Sequence, residues 1–183
     1  MHRIFIALKI SKVIREEIVR RRHLILDGVV NNYKWESFDK IHATLKFIGD
    51  VDRTTLSQVI DKIKWLSESE KIEATLDKFG FFLKNKKPAI LWCGFNPEKQ
   101  IYSLVEKINN SLVEIGIPKE EKTFKPHLTI LRIRGNEDIS ILKKFVSYEC
   151  EKMKFSFSEA VLYESKLFPS GSVYKEIKKY QLK

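Results

Sequence analysis

Hydrophobic and polar positions along this chain follow two rhythms, one of period two and one of period three to four. Residues 3–9 (RIFIALK) and 89–95 (AILWCGF) are near-continuous apolar runs of strand length. Residues 33–36, 41–48, 72–79, 127–133, 153–163 and 173–180 also have the length and alternation of strands, and KNKKP after residue 83 is turn-like. Helical spacing joins Ile14, Ile18 and Ile25 over residues 12–27, with Ser11 as N-cap and Gly28 beyond the end. It joins Leu56, Val59, Ile60, Ile63 and Leu66 after a capping Asp52. Pro97 is positioned to open a helix carrying Ile101, Leu104, Val105, Ile108, Leu112 and Ile115, with Gly116 to end it. A last short helix uses Ile139, Leu142, Phe145 and Val146.

The predicted order is β-α-β-β-α-β, twice, and a short frame recurs within it. Residues 42–49 read HATLKFIG and residues 127–135 read HLTILRIRG, a degenerate internal repeat. The pattern predicts an α+β fold of two pseudo-symmetric lobes in a single domain spanning residues 1–183. The halves run roughly 1–85 and 86–183, strands can swap between lobes, and the lobes face each other across a cleft.

In a strand, residues i and i+2 share a face. His42 and Thr44 therefore emerge together, as do His127 and Thr129, while Ala43 and Leu128 turn into a core. Two imidazoles that exchange protons near neutral pH suit a reaction in which one takes a proton and the other gives one. Two hydroxyls and a nearby cation suit the oxygens of a phosphoryl group. The set fits in-line displacement at phosphorus without a metal. No HExxH and no dense carboxylate cluster accompanies it, so no metal and no other cofactor is expected. Simple alternation also puts Lys46 on the face of His42 and Thr44. Phe47 and Trp35 can stack on a base or fill a core. Tyr174, after the loop containing Gly171, can reach the cleft, as can Ser165. His2 and His23 belong to no such frame and are read as surface or packing residues.

Composition narrows the partner. Of 183 residues, 43% are hydrophobic, and seven glycines and five prolines leave a folded chain rather than a disordered one. No apolar run reaches membrane-span length, and MHRIFIALKI lacks the apolar core of a signal peptide, so a cytoplasmic protein is expected. Cys93 and Cys150 lie in hydrophobic segments without CxxC spacing and read as free thiols. The net charge of +10 fits a polyanionic partner or general solubility. Lysines and arginines gather at Arg20–Arg22, at Lys84, Lys86 and Lys87, and at Lys119, Lys122 and Lys125.

HATLKFIG and FKPHLTILR resemble the two motifs of the 2H phosphoesterase superfamily. Within it the chain is most similar to the RNA 2′,3′-cyclic phosphodiesterases, also called the 2′-5′ RNA ligase family. RIFIAL matches the family's first strand, Trp35 its tryptophan, FIGDV its continuation after the first motif, and SKLFPSGSVYKEI its Ser-x-Leu, Gly and Tyr pattern. The resemblance implies a cleft between two antiparallel sheets. It implies hydrolysis of an RNA-terminal 2′,3′-cyclic phosphate to a 2′-phosphomonoester, with reversible 2′-5′ ligation as a side activity. It carries His42 and His127 over as catalytic residues, with Thr44 and Thr129 at the phosphate. It also makes Arg132 a phosphate-binding residue, although alternation would turn Arg132 away from His127 unless a bulge, a twist or a long reach intervenes. Family analogy makes His42 the acid and His127 the base; the residues alone do not order them.

The implied partners are RNA with a cyclic phosphate end, tRNA fragments among them, or small nucleotides, handled by a monomer without a membrane. Two other classes remain open. The cleft can serve as a non-catalytic module for nucleotides or RNA ends, or the charge can make the chain a general RNA binder.

Overall fold

The computed structural model describes residues 1–169 and 171–183; Ser170, inside the stretch SKLFPSGSVYKEI, lies outside the described residues. The strands are β1 (His2–Lys9), β2 (His42–Val51), β3 (Ile72–Lys84), β4 (Lys87–Pro97), β5 (His127–Arg132), β6 (Met153–Phe157), β7 (Glu159–Phe168) and β8 (Gly171–Gln181). The helices are α1 (Lys12–Leu26), α2 (Arg53–Lys62), α3 (Gln100–Val113) and α4 (Ile139–Ser147). The strands form two four-stranded antiparallel sheets, ordered β2-β1-β7-β8 and β5-β4-β3-β6. The fold is α+β.

The sheets do not follow the halves of the chain. β3 lies in the first half but fills the third place of the second sheet, and β7, from the second half, fills the same place in the first. The swap splits the run 153–163, expected as one strand. It breaks at Ser158, where β6 ends in one sheet and β7 begins in the other. The Ser158 carbonyl accepts from Leu182 N (2.8 Å) and from the Gln181 side chain (2.9 Å), which pins the crossing point.

Helix starts follow their caps. The side chains of Ser11, Asp52 and Asp138 accept from the backbone N–H of Ile14, Thr55 and Ser140. Pro97 does not open a helix. It ends β4 opposite Ala74, where a proline tolerates the loss of a donor, and Glu98 N still reaches Glu73 O at 2.9 Å. α3 starts three residues later. β3 runs on past residue 79 into a tight hairpin whose two turn residues, Asn85 and Lys86, both have positive φ (51° and 63°), as a two-residue turn matched to strand twist requires. Residues 33–36 form no strand. Trp35 makes an isolated bridge to Leu131, and Glu36 N donates to Ile130 O at 2.9 Å, so this segment lies along the edge of β5.

The main hydrophobic core runs through both sheets and α1 to α4, from Ile4, Ile6 and Leu8 through Ile14 and Val59 to Leu91, Ile108 and Phe145, and a smaller cluster of Phe5, Ala7, Val161 and Tyr163 lies apart from it. Two buried cations link parts of the molecule that belong to different sheets. Arg21 on α1 pairs with Glu17 (2.6 Å) and donates to Glu151 O (2.7 Å) ahead of β6. Lys46 on β2 reaches α3 and the segment behind it. Cys93 and Cys150 are both free thiols. Among the described residues no helix is long and apolar enough to cross a membrane.

Candidate active site

β2 and β5 are edge strands of their respective sheets, and they pack against each other. Their first six residues repeat one design. In each, the histidine and threonine are half-buried, the residue between them is buried, the next two are buried, and the sixth is exposed. The cause is a bulge at the same place. In β2, Ala7 pairs with Thr44 and Ile6 with Lys46, leaving Leu45 unpaired; in β5, Trp92 pairs with Thr129 and Leu91 with Leu131, leaving Ile130 unpaired. One extra residue inverts the alternation beyond it.

This bulge settles two residues that alternation misplaces. Arg132 is restored to the side of His127 and Thr129, and it lines the same pocket as His42. Lys46 is turned the other way. It is 4% exposed, and its Nζ donates to Asn109 Oδ1 (2.8 Å) and Pro118 O (2.7 Å). The expectation that Lys46 adds charge to the cleft is therefore corrected: it is a structural tie, and burial lowers its pKa. Phe47 takes the cleft position instead, 45% exposed, with the Arg3 guanidinium 4.8 Å from its ring centroid.

The histidines are anchored alike. His42 Nδ1 lies 2.6 Å from Lys40 O, and His127 Nδ1 lies 2.7 Å from Lys125 O. A carbonyl only accepts, so Nδ1 carries the proton in both, and each neutral ring keeps its lone pair on Nε2. His42 Nε2 accepts from the Thr44 hydroxyl at 3.1 Å. Phe5 (5.0 Å) and Tyr174 (5.4 Å, edge-on) pack against the His42 ring, and Phe82 (4.7 Å, edge-on) packs against His127. Burial is the main cause that lowers both imidazole pKa values. His42 falls to about 4, with the charges of Arg132 and His127 adding to the effect; His127 is also lowered. His42 is therefore neutral at pH 7 in the free protein.

A pocket of about 320 Å³ opens beside His42, lined among others by Arg3, Thr44, Phe47, Arg132, Ser165 and Tyr174. His127 and Thr129 are not in its lining. They stand on β5, the edge strand that packs against β2. Arg132 is held by an ion pair with Glu36 at 3.4 Å. Burial raises the Tyr174 phenol pKa, and the Arg132 charge opposes that rise. Trp35 lies away from the pocket, against Phe145 at 5.6 Å, with its indole N–H on Asn31. Outside the site, His2 pairs with Glu164 at 2.7 Å. Glu36, Phe5 and Arg3 escape a reading of the sequence, because their partners stand on strands far away in the chain. Among the described residues no three His, Cys, Asp or Glu side chains cluster as metal ligands would.

Two swapped antiparallel sheets with one His-x-Thr strand each define the class of two-histidine phosphoesterases. The chain belongs to the 2′-5′ RNA ligase superfamily, whose family model matches residues 14–166. It is 27% identical to the RNA 2′,3′-cyclic phosphodiesterase of Thermotoga maritima, over 94% of this chain and 91% of that one. It is equally identical to the protein of that name from Methanocaldococcus jannaschii, over 97% and 99%. In fold it is similar to TT0787 of Thermus thermophilus (TM-score 0.81, 21% identity, 98% and 97% coverage). It is also similar in fold to E. coli LigT complexed with 3′-AMP (TM-score 0.77, 21% identity, 99% and 98% coverage).

Proposed function

We propose that the chain hydrolyses RNA-terminal 2′,3′-cyclic phosphates to 2′-phosphomonoesters. The observation that carries this reading is the matched presentation of two histidines. Both are held through Nδ1 on a backbone carbonyl, which leaves Nε2 as the proton-transfer atom, and each has a threonine two residues on, the Thr44 hydroxyl donating to His42 Nε2. The names of the relatives support the substrate class.

In the reaction, water attacks phosphorus in line with the 3′-oxygen. His127 Nε2 takes the water proton, the P–O3′ bond breaks, and His42, which takes up a proton on Nε2 as the anionic cyclic phosphate binds beside it and raises its lowered pKa, gives that proton to O3′. The product carries a 2′-phosphate and a 3′-hydroxyl. This order of acid and base follows the family resemblance. Thr44, Thr129 and Arg132 bear the charge on the phosphoryl oxygens, and Phe47 and Tyr174 flank the nucleoside. With a 5′-hydroxyl in place of water as the nucleophile, the same displacement of O3′ gives a 2′-5′ bond. One chain supplies both His-Thr pairs, so a monomer suffices. Side chains meet every proton and charge requirement of this route, which makes it independent of metal.

The test is product analysis. An oligonucleotide ending in a 2′,3′-cyclic phosphate is incubated with the protein in EDTA, beside His42→Ala and His127→Ala. Ring opening to a 2′-phosphate, lost in both variants, supports the reading. Tight binding with an intact ring makes the cleft a recognition module instead.

A further inference from the structure

The cleft-facing side of the second sheet carries an aromatic and basic surface that the reaction does not use. Phe82 on β3 and Trp92 on β4 touch at 5.5 Å between ring centroids, and Phe82 continues directly to His127. Both rings are partly exposed. The indole of Trp92 lies over two glycines: a Cβ on Gly80 would stand 2.4 Å from it, and one on Gly94 2.9 Å. Glycine at both places lets the ring lie down on the sheet rather than stand off it. The hairpin that carries these aromatics ends in Lys84, Lys86 and Lys87, all exposed. Lys125, from the third basic cluster of the sequence, reaches the same pair, with its Nζ 5.9 Å from the Phe82 ring centroid. Two lysine groups far apart in the chain thus converge on one aromatic pair beside a catalytic histidine.

We propose that this surface seats the single-stranded RNA leading to the reactive end, with bases stacking on Trp92 and Phe82 and phosphates passing Lys84, Lys87 and Lys125. The proposal rests on the cyclic-phosphate reading above and extends it from the terminal nucleotide to the strand behind it. Stacking accepts any base, and lysines follow a backbone without reading it, so the track selects for a flexible strand rather than a sequence. A duplex hides its base faces and is not accommodated. The protein then prefers an oligonucleotide to a cyclic mononucleotide.

The test measures binding apart from turnover. A fluorescein-labelled six-nucleotide RNA with a 3′-phosphate, which has no ring to open, is titrated with the parent, with K84E/K87E and with W92L. K143E/K144E serves as control, since it makes the same charge change on the exposed face of α4. We expect K84E/K87E to weaken binding about tenfold or more and to flatten the salt dependence by about 0.7 for each phosphate no longer neutralised. W92L loses about tenfold and abolishes quenching of tryptophan fluorescence by the RNA. If W92L fails to fold, the lysine pair, at an exposed hairpin tip, carries the test alone. The proposal is overturned if K84E/K87E binds like the parent, or if K143E/K144E weakens binding as much. Turnover separates the two readings. A strand that binds with this profile while cyclic ends survive retires the reaction and keeps the track. Ring opening by a K84E/K87E protein of undiminished RNA affinity retires the track and keeps the reaction.

Discussion

β2 and β5 share a backbone and differ in what it displays. Each has a histidine, a threonine and a bulge in the same order. After the bulge β2 buries a lysine and shows a phenylalanine, whereas β5 buries Leu131 and shows an arginine. Internal symmetry thus supplies two imidazoles held alike, and the residues past the bulge make the site directional. One side is aromatic, with Phe47 beneath Arg3; the other is cationic, with Arg132 steadied by Glu36. A duplicated scaffold becomes polar through two positions on each strand.

The largest break in this comparison comes from the pair that is most alike. His42→Ala and His127→Ala are each expected to lower kcat by about a thousandfold, within the range for removing an acid or base. A 3′-bridging sulfur tells them apart, because a thiolate departs without a proton: only the variant lacking the acid should recover on that substrate. Recovery of His127→Ala rather than His42→Ala reverses the assignment, and recovery of neither argues against acid catalysis at this bond.

The positions past the bulge should separate next. Arg132→Met is expected to cost about a hundredfold in kcat, as loss of a charge partner for the phosphoryl oxygens does. Phe47→Ala should raise KM about tenfold with kcat little changed. Steady-state kinetics on one substrate decides it, and equal effects on both parameters at both sites would remove the directional reading.

The two histidines also predict a pH dependence of stability. His42 titrates near 4 when folded and near 6.5 when unfolded. Protons therefore bind the unfolded chain first, and the stability held above pH 6.5 declines as pH falls toward 4, by at most about 3 kcal/mol. Urea melts of the parent and His42→Gln between pH 4 and 7.5 should converge at the acid end. A parent curve parallel to the variant throughout would show that the ring is not held neutral.

The smallest expected effect belongs to the buried lysine. Lys46→Met leaves the Pro118 carbonyl short of a donor and should cost about 1–3 kcal/mol of stability, with activity per folded molecule retained. A normal melting temperature with collapsed kcat would return Lys46 to the reaction.

Much of this site is legible in a single sequence because its logic is local. His-x-Thr puts two groups on one face by strand geometry alone, and finding it twice in a repeated element order marks a shared site. The limit comes one residue later. Nothing in HATLKF announces that Leu45 bulges, so alternation sends Lys46 into the cleft and the structure sends it to Asn109. The same device rescues Arg132, whose placement needed a bulge that the sequence did not reveal. Helices were readable from their caps and apolar stripes, except where Pro97 looked like a start and is a strand end. What depends on long-range pairing was not readable: Glu36 beside Arg132, Phe82 beside His127, and which strands exchange between the sheets, β3 one way and β7 and β8 the other.

That exchange has a consequence for how the molecule comes into being. The sheet that bears His127 is drawn from residues 72–157 without interruption, whereas the sheet that bears His42 needs β1 to find β7 across most of the chain. Loop-closure entropy and vectorial synthesis both favour the contiguous sheet. A nascent chain can complete the surface around His127 while β1, already able to pair with β2, still waits for β7 on its other edge. The first motif to be translated thus sits in the sheet that is finished last, and the cleft exists only once the final two strands have closed it.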